Sequence, residues 1–135
     1  MIRFLSIFLL LPMIFSFSAG GSVKDVKIHE VPSELYSQAE IDSAIEVIKG
    51  EFASRWWRGC TLTEIYYAGD DVSKEHQDWA DRNNAEEALV LLSSFDVDSS
   101  GGYDGALNPD STYDNWLWIL VRSGKGTWKH VDHGY

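Results

Sequence analysis

"NWLWILVRSGKGTWKHVDHGY", residues 115–135, is two apolar and β-rich runs hinged on Ser123-Gly124-Lys125-Gly126. Glycines in a short polar connection between two such runs are a hairpin signal, so strands are expected over 112–124 and 127–135. Successive side chains on a strand point to opposite faces, which puts Trp116, Trp118 and Leu120 on one face and Leu117, Ile119 and Val121 on the other. Both faces are apolar. The sheet that holds this strand therefore needs cover on both sides.

Working back along the chain, "EEALVLLSSFDVD" (86–98) is apolar throughout 88–92, a run that suits a buried strand or a helix, and its end "SSFDVD" favours strand. "CTLTEIYYAG" (60–69) is β-branched and aromatic up to Gly69 and reads as a strand over 60–68. Between these two lies "SKEHQDWADRNN" (73–84), a short helix with Ser73 as its cap and Trp79 and Ala80 on its buried side. The clearest element comes earlier. In "YSQAEIDSAIEVIKGEF" (36–52), Ser37 and Glu40 form a capping box, with Tyr36 and Ile41 placed as a hydrophobic staple. Ile41, Ala44, Ile45, Ile48 and Phe52 then recur at steps of three and four, an apolar stripe that must lie on a sheet. This helix is expected to run from Ser37 to about Arg55, with Trp56 and Trp57 opening a loop punctuated by Gly59.

The fold class is thus α+β: one long helix packed on an antiparallel sheet of four strands, with a short second helix between the first two strands. The order of elements, and the hairpin "NWLWILVRSGKGTWKHVDHGY" above all, resembles the cystatin-like and NTF2-like α+β rolls, in which a curved antiparallel sheet cradles a helix. The chain is also similar there to small uncharacterised bacterial exported proteins and lipoproteins with such a roll. The likeness covers Tyr36 to Tyr135. It departs from NTF2-like domains in having less helix before the sheet, and from the lipoproteins in having Gly20 where they carry a cysteine. No family active-site residue carries over to a position here.

The second sheet face could be covered by the short helix with the Trp56/Trp57 segment, by a homodimer through the sheet, or by a ligand. In the last case Tyr66, Trp116, Trp118 and Trp128 are the rings to watch, as platforms for a sugar face or walls of an apolar cavity. Catalytic candidates are few. Strand alternation sets His130 and Asp132 on one side and His133 on the other, so only His130 and Asp132 could act together as imidazole and carboxylate. His76 and Asp78 do not share a helix face, and His29 stands alone.

The connection "DVDSSGGYDGALNPDSTYD" (96–114) holds five aspartates, and no Lys or Arg occurs from 83 to 121. Asp96, Asp98 and Ser100 followed by Gly101 match the first half of a calcium-binding EF-hand loop, and Asp104 adds a further carboxylate. The second half fails, since the twelfth position is Leu107 and strands flank the loop. The same residues also serve as turn formers.

At the N-terminus, Arg3 and the apolar run 4–17 followed by small residues read as a secretory signal over 1–19, with an uncleaved membrane tether as the alternative. Gly20 to Glu34 has no helical or strand period and reads as a flexible linker, leaving 35–135 as one domain. The formal net charge of −10 argues against nucleic acid as a partner. With Cys60 the only cysteine, no internal disulfide forms, and Cys60 is expected to be a small buried apolar residue. The expectation is a secreted domain with no membrane span after cleavage, serving as a non-catalytic binding or self-association module. Two alternatives stand beside it: an NTF2-like enzyme with a small pocket using His130 and Asp132, and a calcium-stabilised extracellular structural module.

Overall fold

The computed structural model describes residues 20–135; the signal read over 1–19 lies outside them. Among the described residues, no helix is long and apolar enough to cross a membrane. The architecture is α+β. Its strands are β1 (Lys27–His29), β2 (Cys60–Tyr67), β3 (Glu87–Val97), β4 (Ser111–Arg122) and β5 (Lys129–Gly134), and its helices are α1 (Gln38–Phe52), α2 (Asp70–Glu75) and α3 (Gln77–Arg82). The strands form one open sheet in the order β1-β2-β3-β4-β5.

The four expected strands are all present as an antiparallel meander, and the sheet gains a fifth. β1 pairs parallel with β2, so the sheet is mixed and not wholly antiparallel. It arises from the stretch expected to be a linker. All its residues are exposed, so the edge of β2 supplies its order, through backbone pairing that leaves no apolar period in the sequence. Ahead of it, Ser22 bridges Thr61, and a β-carbon at Gly20 would strike the Ala53 carbonyl. Position 20 thus has no room for a side chain.

α1 follows its sequence closely. Ser37 Oγ accepts from the Glu40 amide at 3.2 Å while Glu40 Oε1 accepts from the Ser37 amide at 3.0 Å, completing the capping box. The stripe from Ile41 to Phe52 is buried against Leu62, Ile65, Leu89, Leu91, Phe95 and Trp118. The helix ends earlier than expected, at Phe52, and a 3₁₀ turn over Arg55–Trp57 follows it.

The short second helix is two. α2 begins at Asp70, upstream of the expected cap, and Ser73 lies inside it, where its buried Oγ accepts from the Val90 amide at 3.1 Å. At His76 the Nδ1–H donates to the Val72 carbonyl at 2.7 Å, a side-chain bond that competes with the helix ladder where α2 gives way to α3. This pair covers the apolar part of the second sheet face: Ala80 packs on Ala88 and Val121, with Trp79, Ala85 and Val131 around them. The outer part of that face carries Glu64, Ser94 and Asp114.

Three irregularities bend the sheet. Thr63 is extra on β2, β4 carries an extra residue at Asp114–Asn115, where Asn115 has φ of 56°, and Val131 is extra on β5.

Candidate functional site

The bulge at Val131 decides what β5 offers. Asp132 pairs with Ile119 and His130 with Leu120, while His133 sits opposite Trp118. One extra residue reverses the alternation, so the two histidines share the face under α1 and Asp132 is turned to the other. The expected His130–Asp132 dyad is therefore replaced by a His130–His133 pair. His133 Nδ1 and His130 Nε2 are 3.2 Å apart, and the ring centres are 5.3 Å apart at an interplanar angle of 19°. Two ring radii account for the difference between those distances, so the rings lie edge to edge with the nitrogens aimed at each other. That is the geometry of one shared N–H···N proton. Burial holds both imidazoles below their ordinary pKa, with the neighbouring His133 adding to the effect on His130.

Next to this pair runs a groove of about 360 Å³ between the 3₁₀ turn, the 98–110 connection and the end of the β4–β5 hairpin. Glu51, Trp56, Trp57, Tyr103, Asp104, Trp116 and His133 line it, with Ala106 and Leu107. Trp57 is its fixed point: buried, near-parallel to Phe52 at 5.1 Å and packed edge-on to His133 at 5.2 Å. Trp56, its neighbour in sequence, is 55% exposed and meets Tyr103, 38% exposed, at 5.0 Å. Arg55 lies over the Trp56 ring and Arg58 over that of Tyr103. Trp116 lies at 29° to the His133 ring, and its buried Nε1 has no hydrogen-bond partner.

Of the four rings expected to gather, only Trp116 reaches this groove. Trp118 is fully buried and donates its indole N–H to Ser93 Oγ at 2.8 Å. Trp128 is buried at the far end and donates to the Glu40 carbonyl at 3.1 Å. Tyr66 packs edge-on to His29, whose Nε2 contacts Glu64 at 2.8 Å. Trp56, Tyr103, Glu51 and His133 were missed as groove residues. The sequence signal for one of them is "RWWR" itself: adjacent residues on a tight turn cannot both face the core.

Two larger depressions are lined by groups already engaged. One, about 510 Å³, lies beside Arg122, Lys125 and Trp128. There Arg122, buried on β4, holds Glu40 and, at 2.6 Å, Glu87, with the Trp128 ring 4.2 Å from its guanidinium. The Arg122 hydrogen bond brings Glu40 down to about 2. The other, about 400 Å³, lies beside Cys60, Asp96 and Asp98. Burial pushes the Cys60 thiol up to about 11, so it is an inert apolar residue, as expected.

Three of the loop carboxylates are held within the connection itself. Asp98 Oδ1 accepts from the Ser100 amide and hydroxyl, which lowers its pKa; Asp96 accepts from Thr112 Oγ1 at 2.6 Å; and Asp104 accepts from the Ala106 amide at 3.1 Å. Among the described residues no three His, Cys, Asp or Glu side chains come together as a metal site. Compared with family models, with curated proteins and with solved structures, the chain matches none.

Proposed function

We propose that the protein is an exported, non-catalytic binding domain whose ligand seats in the groove between Trp56, Tyr103, Trp116 and His133. The observation that carries this reading is the pair of exposed rings, Trp56 and Tyr103, beside an aromatic wall that the fold keeps open. A cystatin-like or NTF2-like roll is the architectural part of the reading, supported by a helix lying on an open, bulged sheet. Export follows from the apolar run before Gly20 and from the acidic balance of the chain. The turning of Asp132 away from His130 favours binding over acid–base catalysis.

The test is titration with anilinonaphthalene sulfonate, an apolar fluorophore, against wild type, Trp56→Ala and Tyr103→Ala. Saturable binding that both substitutions weaken about tenfold at an unchanged melting temperature is expected. Equal binding by all three proteins, or none by any, refutes the site.

A further inference from the structure

We infer that the end of the domain around Trp56 docks on a bilayer of zwitterionic phospholipid, with Trp56 and Tyr103 in the interface and Arg55 and Arg58 on lipid phosphates. Docking of this kind does not need the groove to be filled. Gly20, where the described chain begins, lies against the turn that carries these rings. A β-carbon at Gly20 would strike the carbonyl oxygens of Ala53 and Ser54, and the Gly21 amide donates to the Ser54 carbonyl at 3.4 Å. Gly20 and Arg58 also line one depression. The apolar run 4–17 thus joins the domain at this end. That run falls short of the roughly 20 apolar residues that span a bilayer. Attachment by one weak anchor is marginal and becomes stable with a second contact. With the run retained as a tether, the surface nearest its point of attachment is the one placed to supply that contact.

The side chains there are those that settle at the headgroup level. Trp56 and Tyr103 are exposed and touch one another, with ring centres 5.0 Å apart. Tryptophan and tyrosine favour the membrane interface because each joins an apolar ring to one polar group. The Arg55 guanidinium lies 4.7 Å from the Trp56 ring centre and that of Arg58 5.4 Å from the Tyr103 ring centre. Among the described residues neither arginine is in an ion pair with a carboxylate. Both can therefore reach phosphate oxygens while the rings sit deeper. The carboxylates decide the kind of lipid. Glu51 and Asp104 line the groove beside the rings, and Asp98 shares a depression with Arg58. Together with the net charge of −10, they set the domain against an anionic surface. A headgroup that carries both a phosphate and an ammonium answers both signs: phosphate for the arginines, ammonium for the carboxylates and the ring faces.

The experiment reconstitutes the full chain with vesicles of phosphatidylcholine and phosphatidylethanolamine, brominated near the headgroup end of the acyl chains, and reads bromine quenching of tryptophan fluorescence. The variants are Trp56→Phe, the double change Arg55→Glu with Arg58→Glu, and Trp79→Phe. Trp79 is the control: it sits on α3, over the opposite face of the sheet, with the Arg82 guanidinium 4.0 Å from its ring centre. Wild type is expected to be quenched. Trp56→Phe should lose most of that quenching because its reporter is gone, and Trp79→Phe should lose none. The arginine variant, at an unchanged melting temperature, should lose roughly half or more. Replacing part of the lipid by phosphatidylglycerol should not increase quenching. Equal quenching in wild type and Trp56→Phe, or in wild type and the arginine variant, overturns the docking surface, as does a chain that stays off the vesicles. Quenching that appears only with phosphatidylglycerol overturns the zwitterionic partner. A dimer that Trp56→Phe dissolves, with no quenching, overturns docking in favour of a second copy. Anilinonaphthalene sulfonate binding that depends on Trp56, with no quenching in vesicles, overturns docking and leaves the groove standing.

Discussion

The two ends of α1 are finished differently. At its start, Arg122, Glu40, Glu87 and Trp128 close a fully answered network: guanidinium on two carboxylates and an indole face, and an indole N–H on a carbonyl. At its other end, Trp56 stands in solvent, the Trp116 N–H has no partner, and two imidazoles share a single proton. A buried polar group without a partner costs stability, so an end that tolerates one is held by the rest of the fold. The first end pins the helix to the sheet. The second is where we propose that a ligand seats.

Breaking the pinned end should have the largest effect. Arg122→Met leaves Glu40 and Glu87 facing each other without their cation. Because both are partly open to water, the loss should be about 2–4 kcal/mol, below the figure for a fully buried pair. Urea unfolding of the variant checks it, and a loss under about 0.5 kcal/mol would mean that the network is ornamental.

Acid should act next, on the same end. Glu40 sits at about 2 through its bond to Arg122, and Asp70 at about 2 through the Ser33 hydroxyl at 2.6 Å. Both values are depressed, so the stability they supply is present above about pH 4.5 and is lost as pH falls toward 2. In Glu40→Gln the denaturation midpoint should fall less over that range than in wild type. The open end should respond at milder pH. Burial lowers both His130 and His133, so the unfolded chain takes up protons first, and stability should decline as pH drops below about 6.5. Trp57, Trp116 and Trp118 all touch His133. Tryptophan fluorescence should therefore report the same transition, and His133→Asn should move its midpoint up by releasing His130 from its neighbour.

The smallest effect is expected in the 96–114 connection. With Asp96, Asp98 and Asp104 engaged by Thr112, Ser100 and Ala106, the melting temperature in millimolar calcium should match that in chelator. A calcium-dependent rise lost in Asp98→Asn would restore the ion-site reading of the loop.

What could be read in the sequence was local and periodic. The capping box and the apolar stripe of α1 are set by contacts three and four residues apart, and Ser37, Glu40 and Ile41 declare them directly. The four meander strands announce themselves by β-branched and aromatic runs. What could not be read depends on pairing between distant segments. β1 has no apolar side of its own and exists because β2 has a free edge. The partners of the histidines turn on a single extra residue, Val131, and nothing in "KHVDHGY" marks it. Trp118 and Trp128 looked like ligand platforms because a ring's burial is a property of the packed sheet, whereas Trp56 is exposed because Trp57 beside it takes the place in the core.

One end of α1 carries stability, and we propose that the other carries binding. The most direct measurement is the affinity of anilinonaphthalene sulfonate for Arg122→Met and Trp56→Ala, at a temperature where both are fully folded. Wild-type affinity is expected in the first and about tenfold weaker binding in the second. Equal affinity in the two would contradict it.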